Sequence, residues 1–142
     1  EPDNINKVLE GFKDNKIDVV NLKTKINNPV DIVNWTTMKV VTNDLGFAVF
    51  ASRSPIPYPK ATTNITYYKH MGTYALKKSA LDFFKNTKRG ILESIEDFDL
   101  LRFIEHGKNV KIEEVQSSTI SVDTPKDLKR VINIIKEIKK KR

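Results

Sequence analysis

Four clusters in the 142-residue chain, and one charged tail, carry residue types whose spacing could do chemistry. Arg53 ends an apolar run and precedes a proline-rich loop. There a guanidinium can hold a carboxylate or phosphate through two parallel hydrogen bonds, or be an ordinary surface arginine. His70 and Tyr74 lie four residues apart in a predicted strand, so they share a face. They suit hydrogen bonding to a polyhydroxylated ligand, or form a half-buried pair satisfied by backbone. Glu93, Glu96 and Asp99 recur every three residues on a predicted helix, as a stripe for sugar hydroxyls or a metal, or as a solvated acidic face. Asp123 precedes Thr124-Pro125 at a helix start. A carboxylate there can hold Mg²⁺, which takes oxygen ligands, and it also suits the positive end of the helix dipole.

Other chemistries lack their residues. There is no GxxxxGK[ST], GxGxxG or HExxH motif, and no GxSxG. With no cysteine and only His70 and His106, disulfides and thiolate or zinc centres are not expected. Lys and Arg total 25 against 18 Asp and Glu. Of the resulting +7, residues 136–142 hold +4, so the body carries no strong basic stripe and no nucleic-acid partner is expected. The charged tail reads as a favourable helix C-terminus. No apolar run approaches the roughly 18 residues of a membrane helix. A 39% hydrophobic fraction is enough for a core.

These residues need elements to position them. Ile5, Val8, Leu9 and Phe12 place one apolar face on a helix over 3–14. A strand is predicted over 17–26, and a helical turn or loop over 29–35. Met38–Thr42 and Phe47–Phe50 flank Asn43-Asp44-Leu45-Gly46, which predicts a hairpin. Pro55, Pro57 and Pro59 exclude helix and central strand, leaving a long loop over 54–64. A strand follows over 65–76 and a short helix over 79–85. One longer helix is predicted over 91–106 with Leu92, Ile95, Leu101 and Ile104 on its apolar face and Gly107 at its end. Val110, Ile112 and Val115 alternate in a strand. Thr124, Pro125 and Asp127 start the last helix, whose stripe is Leu128, Val131, Ile132, Ile135 and Ile138. Interspersed strands and helices predict an α/β or α+β fold with a mixed sheet.

Four segments together resemble the 3-deoxy-manno-octulosonate cytidylyltransferase (CMP-Kdo synthetase) family. Lys39-Val-Val-Thr-Asn-Asp-Leu-Gly-Phe-Ala-Val-Phe-Ala-Ser-Arg53, followed by Ser-Pro-Ile-Pro-Tyr58, is similar to K-V-V-x-D-x-x-G-Y-A-L-Y-F-S-R-x-x-I-P-Y/W. Lys69-His-Met-Gly-Thr-Tyr74 resembles R-H-x-G-x-Y, and residues 92–102 resemble L-E-x-x-E-x-L-E-Q-L-R. Val122-Asp-Thr-Pro-Lys-Asp-Leu128 is similar to V-D-T-P-E-D-L, and the opening Glu1-Pro2 matches the end of Q-G-D-E-P.

The resemblance implies a nucleotide-diphospho-sugar transferase-like, Rossmann-like mixed sheet. It also implies that residues 1–142 are the C-terminal sugar-binding and dimerisation portion, without the N-terminal CTP-binding portion. On that basis the 142 residues alone are expected to form no CMP-sugar. The implied activity is cytidylyl transfer from CTP to Kdo or a similar sugar acid, in a cytoplasmic homodimer serving lipopolysaccharide or capsule synthesis. The implied roles are Mg²⁺ on Asp123 and sugar binding by Arg53, His70, Tyr74, Glu93, Glu96 and Asp99. The rival reading is a non-catalytic module that keeps the fold. Leu100 stands where the family has glutamine, and Asp99, Thr73 and Lys69 also depart from its pattern. If Leu100 faces the sugar, Leu100→Gln should raise kcat/KM for Kdo about tenfold. If it faces the core, the amide should only destabilise.

Overall fold

Val19, Val20 and Leu22 have no exposed surface, so the strand that carries them, β1 (Val19–Lys25), is covered on both faces. The computed structural model of the protein describes residues 2–116, 122 and 124–140. Around β1 it builds β2 (Lys39–Thr42), β3 (Ala48–Ser52), β4 (Tyr68–Leu76) and β5 (Val110–Glu114). The sheet order is β3-β2-β4-β1-β5. β1 and β5 run parallel and the other pairs antiparallel, which is the predicted mixed sheet.

The helices are α1 (Pro2–Glu10), α2 (Pro29–Val33), α3 (Lys78–Asn86), α4 (Ile91–Glu96), α5 (Leu100–Glu105) and α6 (Pro125–Lys140). Side chains alternate across a strand, so β1 feeds two cores. Val19 packs with Val40, Ala80, Phe98, Leu100, Leu101, Phe103 and Val110 on one face. Val20 and Leu22 pack with Val8, Ile17 and Met71 on the other. On α1 only part of the predicted stripe is used: Val8 is buried, whereas Ile5 and Leu9 are exposed.

The predicted hairpin is formed by β2 and β3. Asn43 Oδ1 accepts from the backbone N–H of Leu45 (3.1 Å) and Phe47 (2.9 Å), and Gly46 takes φ 77°, which favours glycine. The proline segment runs outside the sheet, and Tyr67 Oη donates to the Pro57 carbonyl at 3.2 Å. At α6, Asp127 Oδ2 accepts from the Thr124 N–H (3.0 Å) and hydroxyl (2.6 Å), a reciprocal capping arrangement. Its Leu128, Ile132 and Ile135 are exposed. Among the described residues no helix is long and apolar enough to cross a membrane.

The single helix expected over 91–106 is two. Asp97 adopts φ 48°, ψ 56°, so α4 stops and α5 starts afresh at Leu100. The predicted stripe used Ile95, which is exposed, and did not include Phe98, Leu100 and Phe103, which are buried. A straight helix cannot turn Phe98, Leu100, Leu101 and Phe103 all toward one sheet, because successive residues lie about 100° apart. The break lets Phe98 enter the core separately.

Leu100 is wholly buried in that core, so of the two expected placements the structure takes the core one and not the sugar pocket. Leu100→Gln in the full-length protein should lower unfolding free energy by about 1–3 kcal/mol, through an unpaired buried amide. Urea unfolding reads this directly. An unchanged midpoint would contradict the core placement.

Candidate active site

β4 supplies the first two site residues. Between Asn21 and Leu22 of β1 the pairing slips from Tyr74 to Met71, so Gly72 and Thr73 bulge out. Two extra residues preserve the alternation, and His70 and Tyr74 still share a face. Their ring centroids are 5.4 Å apart. Phe98 packs its ring edge-on to His70 at 4.8 Å. Beyond it, at the start of α5, Asp99 Oδ1 accepts from Tyr74 Oη at 3.3 Å. Tyr74 Oη also lies 3.4 Å from His70 Nε2. The chain joining β4 to the α4–α5 junction is therefore His70, Tyr74, Asp99.

Burial sets the charge state of this chain. It pushes His70 down to about 4, which leaves the ring neutral at physiological pH. Burial, followed by the nearby Asp99 carboxylate, pushes the Tyr74 phenol up, so it stays protonated.

Arg53 follows β3 and lines the same cleft as Asp99. Its Nε donates to the Glu96 carbonyl (2.9 Å), Nη1 to Trp35 (3.1 Å) and Nη2 to Asp97 (3.4 Å). Of the five guanidinium N–H groups, two remain uncommitted among the described residues. Below it, Lys39 is completely buried and donates to the carbonyls of Asn34 (2.9 Å), Thr37 (2.6 Å) and Arg53. Burial lowers its pKa.

Glu93 and Glu96 are not brought to the cleft. Glu96 accepts from Ser52 Oγ (2.5 Å) and the Arg53 N–H (2.8 Å), fastening α4 to β3. Glu93 has no exposed surface, and Arg102 grips it through Nε (2.6 Å) and Nη2 (2.7 Å). Arg89 adds a contact at 3.2 Å. The three-carboxylate stripe is therefore corrected: the helix break separates Asp99 from the other two, and only Asp99 faces the cleft.

The cleft has a volume of about 660 Å³. Arg53, Arg89, His70, Tyr74, Asp97 and Asp99 line it together with Trp35 and Thr124, and Arg89 Nη2 pairs with Asp97 Oδ1 at 3.3 Å. Asp123 lies outside the described residues. Among the described residues no three His, Cys, Asp or Glu side chains converge on a metal site. Sequence reasoning missed Lys39, Arg89, Arg102 and Asn21. Lys39 and Asn21 each interrupt an apolar strand, which was the available signal for a buried polar group with a task.

A solved structure of CMP:2-keto-3-deoxy-manno-octonic acid synthetase complexed with CTP superposes with a TM-score of 0.87 at 30% identity. The match covers 96% of this chain and 57% of that one. The fold is thus that of a nucleotidyltransferase. The family profile described as cytidylyltransferase matches residues 1–114, and the chain belongs to that family. The 3-deoxy-manno-octulosonate cytidylyltransferase of Fusobacterium nucleatum is 40% identical over 134 residues, covering 94% of this chain and 55% of that protein. That of Christiangramia forsetii is 39% identical over 130 residues, covering 91% and 52%. The chain spans about half the length of the curated relatives it matches.

Two measurements test the site's electrostatics. Glu93→Gln should cost about 3–5 kcal/mol, because Arg102 is left buried without its partner charge. Hydrogen bonding from Arg102 holds Glu93 below the usual carboxylate range. The wild-type contribution is therefore full above the unfolded-state pKa and lost as pH falls through the depressed folded value. His70 has the same direction of pH dependence by a different route: the unfolded chain binds its proton first, so stability falls from about pH 6.5 toward 4. In an NMR titration the His70 ring resonances should not move between pH 8 and 5.5. A midpoint near 6.5 would contradict the buried neutral ring.

Proposed function

We propose that the full-length protein transfers a cytidylyl group from CTP to a 3-deoxy sugar acid, Kdo in the first instance, and releases pyrophosphate. The observation that carries this reading is the lining of one cleft: His70, Tyr74 and Asp99, which can bond hydroxyls, stand with the cationic Arg53 and Arg89. A sugar acid carries the complementary set, hydroxyls and a carboxylate. The relatives' activity and the CTP bound in the similar structure support the nucleotide and the sugar.

In this reading the anomeric hydroxyl attacks the α-phosphorus of CTP. Such a transfer needs positioning and charge neutralisation more than covalent help. Arg53 offers its two uncommitted N–H groups to the carboxylate, in a plane set by its three carbonyl contacts. Asp99 and His70 accept from sugar hydroxyls. Glu93 and Glu96 hold the α4–α5 junction and do not touch the ligand. Mg²⁺ on Asp123 belongs to the proposal on its motif and on Thr124, which adjoins it and lines the cleft. When bound there, the ion would neutralise phosphate charge. A homodimer also belongs to it, supported by the exposed apolar Val49, Tyr58, Ile91 and Ile95.

The test is turnover of CTP and Kdo by the full-length protein, followed as CMP-Kdo and pyrophosphate. His70→Ala should raise KM for the sugar acid about tenfold, the equivalent of one net hydrogen bond, and leave KM for CTP unchanged. Asp123→Asn should abolish most activity at low Mg²⁺, because the amide can still cap a helix but cannot attract a hard cation. No product from Kdo or any related sugar acid would refute the activity.

A further inference from the structure

The chain His70, Tyr74, Asp99 has a fourth member that does not reach the cleft. Asn21 sits in the middle of β1 with no exposed surface. Its Nδ2 donates to the carbonyls of Met71 (2.9 Å) and Thr73 (2.8 Å), the two that the β4 bulge turns toward it. Its Oδ1 lies 2.9 Å from His70 Nδ1.

These contacts leave one assignment of hydrogens. An amide has two N–H groups and one carbonyl oxygen. Both N–H groups are committed to Met71 and Thr73. Flipping the amide would set its oxygen against two carbonyl oxygens and leave them without donors. Oδ1 therefore faces His70 and can only accept, so the imidazole proton is on Nδ1. A neutral ring protonated at Nδ1 carries a lone pair at Nε2. Burial keeps the ring neutral, pushing it down to about 4.

We propose that Asn21 is a positioning residue that fixes His70 as the Nδ1–H tautomer, so that Nε2 accepts a hydrogen bond from a hydroxyl of the bound sugar acid. This rests on the reading of the cleft given above. Tyr74 has a single proton, and its oxygen lies 3.3 Å from the Asp99 carboxylate and 3.4 Å from Nε2. The anionic acceptor takes that proton, since hydrogen bonds to charged acceptors are the stronger. Nε2 is then left without a donor, and a ligand O–H in the cleft that His70 lines supplies it. The bulge belongs to the same device. It presents the two carbonyls that lock the amide, and its two added residues keep His70 and Tyr74 on one face. A ligand lacking the contacted hydroxyl leaves Nε2 unpaired and is discriminated against.

The test uses the full-length protein and reads both the tautomer and the kinetics. Two-bond ¹⁵N–¹H correlation spectra at pH 8.5 should show a protonated Nδ1 and an unprotonated Nε2 for His70 in the wild type. Asn21→Leu removes the acceptor and should shift the ring toward the Nε2–H tautomer. It should also lower kcat/KM for the sugar acid by about tenfold, with KM for CTP unchanged. Asn21→Asp loses the two donors but keeps an acceptor for Nδ1, so it should retain the wild-type tautomer and recover sugar-acid kcat/KM relative to Asn21→Leu. A role confined to holding the bulge would impair both variants alike, which would overturn the proposal. An Nε2–H ring in the wild type would overturn it even if neither variant folds. An Nδ1–H ring in a protein that turns over no sugar acid would overturn the substrate reading and the hydroxyl contact built on it, separately from the tautomer.

Discussion

The buried ion pair of Glu93 and Arg102 holds the candidate site in shape. Arg102 binds both oxygens of Glu93 across the break between α4 and α5, and its Nη1 reaches the carbonyls of Phe84 (2.8 Å) and Thr87 (3.1 Å) at the end of α3. Three helices thus meet at one guanidinium, which also stacks 3.8 Å over the Phe84 ring. Such a pair contributes little net stability over an apolar substitute, because both charges lose their water. Its value here is geometric. It fixes the angle of the α4–α5 junction, and that angle carries Asp97, Phe98 and Asp99 to the cleft. Glu105 reinforces the junction by accepting from the backbone N–H of Leu92 (2.8 Å) and Glu93 (3.0 Å) at the open start of α4.

Lys39 and Arg53 use charge in the same way. They direct most of their donors at backbone carbonyls of the 34–37 loop and the end of α4, so the cations act as cross-links between segments. Glu96 completes the link from α4 back to β3. This leaves few free donors and acceptors, each with a fixed direction. A site of that kind recognises a ligand with little reorganisation on binding, which favours affinity and orientation together.

Of the six buried polar residues among the described ones, four stand beside the cleft, while Asn4 and Thr24 do not. Asn21, Lys39, Ser52 and Glu93 are all buried, and each one is bonded to the cleft residues or to their immediate supports. The sheet face beneath α1 is apolar by comparison, with Val8, Ile17, Val20, Leu22 and Met71 in contact. Both faces of the strand supply apolar burial, and the Val19 face also carries Asn21 with its bond to His70.

The elements were legible from local chemistry. Asn43 to Gly46 specified the hairpin, three prolines excluded structure over 54–64, and Thr124 with Asp127 marked the start of α6, because turns, caps and breakers act within a few residues. The motif residues His70, Tyr74, Asp99 and Arg53 were likewise visible, and the structure places all four on one cleft. Tertiary structure alone decided the division of the 91–106 segment, the burial of Leu100 and the engagement of Glu93 and Glu96 away from the ligand side. Periodicity assumes a straight helix, and it cannot register a break imposed by a partner such as Arg102 or by Phe98 entering the core. The carboxylate spacing on 93–99 was real in sequence but acquired its meaning from what stood opposite. For Asn21 the sequence showed only a polar residue in an apolar strand. Its direction, and hence the proton on His70, follows from carbonyls about fifty residues away, which only the folded sheet brings within hydrogen-bonding distance.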